Sequence, residues 1–354
     1  MDKTSKIFIA GHRGMVGSAI TRELQRQGYT RLLTRTHAQL DLTRQAEVEA
    51  FFELERPDYV FLAAARVGGI LANSTYTADF IYQNIMIAAN VINSAYKFKV
   101  EKLLNLGSTC IYPKHAPQPM KEEHLLTGSL EPTNEAYAVA KISAIKLCRY
   151  YNEQYGTNFL SVMPTNLYGI GDNYHFEGSH LLPAMIRKFH LAKMLQENKF
   201  EAIAADFRSY GFPKGFEGLE DFSPTRIVAA LASVGITAHT LTLWGTGTPF
   251  RELLYADDLS QACVFLMQTR QANELGEFVN VGTGADSSIR QIAELVRTVI
   301  GFDGTIAWNP AKPDGTPKKL ADVSRINALG WTATTALKDG ILAAYNDYLK
   351  PVSV

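Results

Sequence analysis

The chain has 354 residues, of which 46% are apolar and 20% are charged, with 35 Lys plus Arg and 35 Asp plus Glu. This composition is typical of a globular protein larger than one average domain, and it excludes a disordered or collagen-like chain. The balanced charge argues against nucleic acid as a partner, because nucleic-acid-binding proteins usually carry a basic excess. No apolar run reaches the roughly 18–20 residues that span a bilayer, so we expect no membrane partner.

The cysteines and the first residues indicate the compartment. Cys110, Cys148 and Cys263 are spaced too widely for a disulfide framework or a zinc site. Residues 1–6 lead into an apolar strand and a glycine turn instead of a signal-peptide core. We therefore expect a cytoplasmic protein with reduced thiols and no metal.

In the first half of the chain, short apolar runs alternate with helical patterns. The patterns predict strands over residues 7–10, 31–33, 59–64, 102–106 and 159–163, and helices over 18–27, 45–55, 80–96 and 135–156. The strands show no polar alternation, which is typical of strands buried on both faces of a parallel sheet. Repeated βα units predict an open parallel α/β sheet with right-handed crossovers.

After about residue 173 the segments become irregular and richer in Gly, Pro and aromatic residues. A helical pattern covers 225–233 and a strand pattern covers 240–243. We predict a first domain over 1–173 and a smaller substrate-binding lobe over 174–354, with some later segments returning to the first domain.

A glycine-rich turn follows the first predicted strand. Gly11, Gly14 and Gly17 have G-x-x-G-x-x-G spacing and stand immediately before a predicted helix. Glycines allow a tight turn and close approach to a pyrophosphate, and the free N–H groups at the helix start attract that anion. The context therefore predicts a dinucleotide site.

The second strand predicts which dinucleotide binds. An NAD site usually has an acidic residue near the end of this strand, whereas here Arg35 and His37 follow the strand and Arg13 lies in the glycine turn. These cations favour NADP(H), because they suit a 2′-phosphate. Asp41 and Leu42 could border the adenine.

Three residues predict reduction of a carbonyl group. Tyr137 and Lys141 are four residues apart on a predicted helix and so share a face. We expect the ammonium to lower the pKa of the phenol and to reach the nicotinamide ribose. Ser108, at the end of a predicted strand, could hold the substrate oxygen while Tyr137 transfers the proton.

With these residues in place, the chain resembles the extended short-chain dehydrogenase/reductases, and within them the epimerase-reductases that act on GDP-4-keto-6-deoxy-D-mannose. The resemblance covers nearly the whole chain except residues 197–242. Its specific segments are GHRGMVGS (11–18), AAARVGGI (63–70), DFIYQN (79–84), STCIYPK (108–114), EPTNE (131–135), PTNLYG (164–169), WGTGTP (244–249) and KPDGTP (312–317).

The resemblance implies a Rossmann-type doubly wound parallel sheet with a smaller α+β C-terminal substrate lobe. It also implies a homodimer that packs helices 80–96 and 135–156 against their mates, and a GDP-sugar substrate. The implied chemistry is epimerisation at C3 and C5 by Cys110 and His180, followed by reduction of the C4 ketone with NADPH.

The same resemblance implies further binding residues. For the cofactor these are Met15, Val16, Leu106, Gly107, Lys141, Pro164, Asn166, Leu167 and His180, beside the residues of the glycine turn and second strand. For the substrate they are Lys188, Trp244, Arg251, Asp314 and Lys319.

Two positions depart from the family pattern. His37 and Lys188 both stand where relatives often have arginine, which leaves the preference for NADP over NAD and one phosphate contact open. Residues 197–242 form a variable insertion that could be a lid or an interface.

Three alternative functions remain: an epimerase-reductase acting at one carbon, a reductase without epimerisation, and a nucleotide-sugar 4-epimerase with no net redox change. A cofactor-binding regulator is disfavoured, because Ser108, Tyr137 and Lys141 are all present.

Overall fold

The computed structural model describes residues 1–312 and 314–350, without the side chains of residues 70 and 71. Pro313 of the KPDGTP segment and residues 351–354 of the predicted second domain lie outside the described residues. The chain divides into two compact units. The first contains residues 1–171, 252–285 and 320–335, and the second contains the described residues within 172–251, 286–319 and 336–354.

Thirteen strands are present in the described residues. In chain order they are β1 (Ile7–Ala10), β2 (Leu32–Leu33), β3 (Tyr59–Leu62), β4 (Lys102–Leu106), β5 (Phe159–Pro164), β6 (Asn166–Tyr168), β7 (Thr240–Trp244), β8 (Phe250–Arg251), β9 (Leu253–Tyr255), β10 (Val279–Val281), β11 (Ser287–Ser288), β12 (Thr305–Asn309) and β13 (Lys318–Lys319).

The α-helices of the described residues connect these strands. They are α1 (Met15–Arg26), α2 (Gln45–Glu55), α3 (Ile70–Thr75), α4 (Thr77–Lys97), α5 (Glu135–Tyr155), α6 (Leu181–Gln196), α7 (Phe200–Tyr210), α8 (Pro224–Ser233), α9 (Ala256–Thr269), α10 (Ala272–Leu275), α11 (Ile289–Ile300), α12 (Ser324–Ala328) and α13 (Leu337–Tyr348).

The first unit is built on a six-stranded sheet. Its strand order is β10-β5-β4-β3-β1-β2, and every pair is parallel. Apolar side chains of β1 alternate between two cores: Ile7 and Ile9 pack with α1 and α9, whereas Phe8 and Ala10 pack with α2, α4 and α5. The predicted doubly wound parallel sheet is confirmed. The strand order reverses between β1 and β3, and ligands of such sheets bind at this point.

The second unit contains two small sheets. β7 and β12 form a parallel pair, and β8 lies between antiparallel β11 and parallel β13. The segment 197–242 is more helical than predicted, because α7 precedes the expected helix α8. Arg187 of α6 is fully buried, and its guanidinium is 2.7 Å from the carboxylate of Asp206 of α7. This long-range ion pair, invisible to local pattern analysis, fixes α7 against α6.

Several predicted boundaries were wrong by a few residues. α1 begins at Met15 instead of residue 18, because Gly14 already takes the extended conformation of an N-cap. β3 ends at Leu62 instead of residue 64, and α4 extends over Thr77–Lys97 instead of 80–96. Among the described residues, no helix combines the length and apolar character needed to cross a membrane.

Candidate active site

The glycine turn joins β1 to α1, and its three glycines meet different surroundings. Gly11 has a φ of +85°, and a Cβ there would lie 2.7 Å from the backbone nitrogen of Ala64. A Cβ at Gly17 would lie 2.1 Å from the carbonyl oxygen of Gly11. Gly14 differs, since its Cβ would meet only that same oxygen at 3.5 Å, an ordinary contact. The protein therefore requires Gly11 and Gly17 for its own packing, and leaves open space at Gly14.

The start of α1 fits a bound pyrophosphate. Gly14 caps the helix without a side-chain hydrogen bond, and the first turn contains no acidic residue. The N–H groups of Met15 and Val16 lie in this turn, where an anion is stabilised. The Nδ1 atom of His12 is buried without a hydrogen-bond partner among the described residues. These features fit the phosphate end of a dinucleotide.

Two of the three residues predicted to meet the 2′-phosphate, Arg35 and His37, lie near the end of β2. The guanidinium of Arg35 forms an ion pair of 2.5 Å with Glu55, whereas the side chain of His37 is 83% exposed. Arg13 is also exposed. His37 and Asp41 line a cleft of about 210 Å³. The cleft's other lining residues were not selected from the sequence: Thr43, Arg44, Tyr82 and Gln83.

Four predicted catalytic residues come together beyond the end of β4. The hydroxyl of Ser108 accepts a hydrogen bond of 3.3 Å from the backbone N–H of Cys110. On α5, the Nζ atom of Lys141 lies 5.6 Å from the ring centre of Tyr137. Lys141 also donates a hydrogen bond of 2.7 Å to the carbonyl of Leu106, the last residue of β4. This bond ties the Tyr–Lys helix to the Ser–Cys turn.

Burial sets the protonation of this cluster. It raises the pKa of Tyr137 well above the usual 10, and the neighbouring Cys110 raises it further. Burial lowers the pKa of Lys141 to about 8, against a smaller opposing effect of Cys110. The lowering of the Tyr137 pKa that we expected from the sequence is wrong, because desolvation of the phenolate and the neighbouring Cys110 both raise that pKa. The neutral phenol suits a proton donor.

The remaining predicted cofactor residues follow β4 and β5. A Cβ at Gly107 would come within 2.1 Å of the Met163 side chain, so this position is closely packed. Pro164 ends β5 and Leu167 lies in β6. Between them, the side-chain amide of Asn166 donates a hydrogen bond of 3.1 Å to the carbonyl of Glu252. Leu42 is held in the first unit by a hydrogen bond that its carbonyl accepts from the side-chain amide of Asn90 on α4.

The second unit holds His180 and the predicted substrate residues. His180 caps the start of α6. Burial, and then the positive charge of Lys319, lower its pKa, which favours a neutral imidazole able to act as a base. Lys188, about two turns further into α6, donates a hydrogen bond of 3.1 Å to the carbonyl of Val234. Burial lowers the pKa of Lys188 to about 8.

The other substrate residues lie on the small sheets. Arg251 and Lys319 are direct neighbours on parallel strands β8 and β13. Trp244 ends β7 with 65% of its surface exposed, and the carboxylate of Asp314 accepts a hydrogen bond of 2.6 Å from the backbone of Thr246. Two neighbouring cations suit the diphosphate of a nucleotide, and an exposed aromatic ring suits its base.

Sequence reasoning also missed two buried polar atoms. The Oδ1 atom of Asn134 and the hydroxyl of Ser179 have no hydrogen-bond partner among the described residues. Asn134 precedes Tyr137 by three residues, and Ser179 precedes His180. Their proximity in sequence to predicted catalytic residues was the only available indication.

Comparison with known proteins shows similarity over the whole chain. Residues 7–204 and 213–282 match the model of the NAD dependent epimerase/dehydratase family. A GDP-L-fucose synthase from Arabidopsis thaliana is 51% identical over 99% of this chain and 95% of its own length. One from Escherichia coli is 45% identical over 98% and 97%. Among solved structures, a GDP-mannoheptose C4 reductase from Campylobacter jejuni with NADP bound is 39% identical, covers 99% of this chain and 100% of its own, and superposes with a TM-score of 0.88.

Proposed function

Because the chain belongs to the NAD dependent epimerase/dehydratase family, we propose that it converts GDP-4-keto-6-deoxy-D-mannose to GDP-L-fucose with NADPH. The observation that carries this proposal is the cluster of Ser108, Cys110, Tyr137 and Lys141, held together by the bond from Lys141 to Leu106. The similarity to GDP-L-fucose synthases over nearly the full length supports the substrate.

The first stage of the proposed reaction inverts two carbons. C3 and C5 both lie next to the C4 ketone, so loss of either proton gives an enolate whose charge rests on the C4 oxygen. Cys110 and His180 exchange these protons, while the hydroxyls of Ser108 and Tyr137 donate hydrogen bonds to the oxygen.

The second stage is reduction at C4. Bound NADPH supplies the hydride. Tyr137 donates its proton to the C4 oxygen, and the raised pKa of the phenol keeps that proton available. Lys141, fixed by the carbonyl of Leu106 with its Nζ atom 5.6 Å from the ring centre of Tyr137, stabilises the emerging phenolate by its positive charge.

A second candidate is reduction of a GDP-keto-heptose without inversion at both carbons. The similarity to the GDP-mannoheptose C4 reductase supports it. Incubation with GDP-4-keto-6-deoxy-D-mannose and NADPH in deuterated water separates the two candidates. Deuterium at both C3 and C5 of the product supports the proposed function, whereas deuterium at one carbon or at neither would overturn it.

The same assay tests Cys110. Cys110→Ala is expected to abolish exchange at the carbon that the thiol serves, while binding NADPH normally. Cys148→Ala is the matched control, because it removes a thiol from the core of the same unit. Equal exchange in the two variants would remove Cys110 from the mechanism.

We further propose that the protein acts in the cytoplasm as a homodimer, with neither membrane nor nucleic acid as a partner. Exposed tyrosines on α4 and α5, Tyr96, Tyr150 and Tyr155, offer an aromatic surface on the helices expected to meet the partner. Sedimentation equilibrium should give twice the 39.2 kDa mass of the chain. A monomer at micromolar concentration would contradict the dimer.

A further inference from the structure

The cleft near the end of β2 has a polar lining drawn from two elements of the first unit. Four lining residues follow β2 in the chain and two come from α4: His37, Asp41, Thr43, Arg44, Tyr82 and Gln83. Its volume of about 210 Å³ is below the roughly 300–1,000 Å³ of pockets that hold a whole ligand. The cleft therefore suits one end of a longer molecule.

The position of the cleft indicates which end. β2 is parallel to β1, so its carboxyl end lies at the same sheet edge as the glycine turn. In such sheets the pyrophosphate lies at the glycine turn, and the adenosine ribose lies near the end of the second strand. The cleft is thus placed to receive the ribose and any phosphate on it.

Arg35, one of the three cations expected to bind that phosphate, already has other partners. The guanidinium of Arg35 forms a 2.5 Å ion pair with Glu55 and donates a 2.8 Å hydrogen bond to the carbonyl of Thr34. It also lies 5.3 Å from the ring centre of Phe51. Arg35 does not line the cleft. Moving it to a ligand would break the ion pair with Glu55.

Arg44 is the arginine that does line the cleft. Its side chain is 71% exposed, and its Nε atom lies 3.8 Å from the carboxylate of Asp41. The other oxygen of that carboxylate accepts hydrogen bonds from the backbone and hydroxyl of Thr43, at 2.9 and 2.7 Å. Asp41 is therefore fixed in place, and its charge holds Arg44 at the cleft while leaving the guanidinium accessible.

We propose that Arg44 reads the 2′-phosphate of NADPH in this chain, with Asp41 as the residue that positions it. The inference rests on the proposed function, and deepens it by naming the residue that selects NADPH over NADH. A guanidinium binds a phosphate through a planar fork of N–H groups, which neither His37 nor a lysine offers. The Asp41 carboxylate would repel that phosphate, but its pairing with the Arg44 guanidinium offsets this repulsion.

Binding titrations of the full chain with NADPH and with NADH, followed by cofactor fluorescence, test the proposal without turnover. Arg44→Ala should weaken NADPH binding about tenfold, the effect of one exposed charge-assisted contact, and leave NADH binding unchanged. Arg44→Lys should fall between wild type and Arg44→Ala, because it keeps the charge without the fork. Arg31→Ala is the matched control, since Arg31 is exposed at the opposite end of β2.

Different outcomes would overturn the role of Arg44 and the proposed function. An unchanged ratio of NADPH to NADH affinity in Arg44→Ala would overturn the role of Arg44, as would an equal loss in Arg31→Ala. A wild-type chain that binds neither cofactor would overturn the proposed function itself.

Discussion

At the level of single residues, burial controls the charges on which the proposed reduction depends. Tyr137 and Lys141 lie together in surroundings that disfavour charge. The phenol therefore stays neutral, and the lysine loses its proton at a lower pH than an exposed lysine does. A neutral phenol is the form that can give a proton to a ketone oxygen. The lowering of the tyrosine pKa that the spacing of Tyr137 and Lys141 predicted is therefore wrong, because burial raises this pKa.

Replacing the phenol should remove the proton donor and little else. Tyr137→Phe is expected to slow reduction about 10²- to 10⁴-fold, as is usual for a general acid. NADPH oxidation measured by absorbance checks the rate, and a fluorescence titration checks that cofactor binding persists. Tyr76→Phe, an exposed position in the same unit, is the control. Turnover near the wild-type rate would exclude Tyr137 as the donor.

The lowered pKa of Lys141 makes activity depend on pH. The folded-state value of about 8 lies below the ordinary 10.5, so the ammonium is lost as pH rises through about 8. We expect kcat/KM for reduction to fall above that pH, since this quantity reports groups of the free enzyme. Between pH 8 and 10.5 the unfolded chain binds this proton more strongly, so folding stability rises with pH. A profile that stays flat to pH 10 would contradict the assignment.

At the level of elements, the glycines of the turn between β1 and α1 have different roles. Gly11 and Gly17 are required by the packing of the chain itself, whereas we expect Gly14 to be required by a bound ligand. Gly17→Ala would place a methyl group 2.1 Å from the Gly11 carbonyl, and should destabilise the chain by about 1–3 kcal/mol or more. Gly14 already has a φ of −76°, which alanine readily adopts. Gly14→Ala should therefore fold normally and bind NADPH at least about tenfold more weakly, if a pyrophosphate takes the open space.

Thermal melts and NADPH titrations of both glycine variants check this division. The expected pattern is a lowered Tm only for Gly17→Ala, and weakened binding with an unchanged Tm for Gly14→Ala. Normal NADPH affinity in Gly14→Ala would mean that the phosphate does not approach this residue.

At the level of the whole molecule, one buried carboxylate ties together segments that are far apart in sequence. Glu252 is fully buried at the start of the segment that returns to the first unit. Its carboxylate accepts hydrogen bonds from the backbone N–H groups of Thr283, Gly284 and Ala321, at 2.7, 2.8 and 2.8 Å. Both returning segments, 252–285 and 320–335, thus meet at one side chain.

Glu252→Gln tests this connection. The amide would turn an N–H₂ group toward backbone donors, leaving at least one of them unpaired, which should cost about 1–3 kcal/mol of folding stability. Chemical denaturation measures the loss, and Glu294→Gln, a half-exposed carboxylate on α11, serves as the control. Equal stability of the two variants would show that the Glu252 bonds are not needed to join these segments.

Three features could be predicted from the amino-acid sequence without coordinates: the parallel α/β sheet, the glycine turn and the Tyr137–Lys141 pair. Each of these is local: buried strands lack polar alternation, the turn needs glycines at set intervals, and residues four apart share a helix face. The same locality explains why α2 and β4 were predicted to the residue.

Features that depend on packing between distant segments became visible only in the folded chain. The tertiary structure paired Arg35 with Glu55 twenty residues away, placed Arg44 and Tyr82 at one cleft, and buried the Tyr137 phenol enough to reverse its expected pKa shift. It also brought segment 320–335 to Glu252. The burial of a charged group and the charges around it depend on which distant elements pack against it. The spacing of nearby residues in the sequence therefore predicts neither of them.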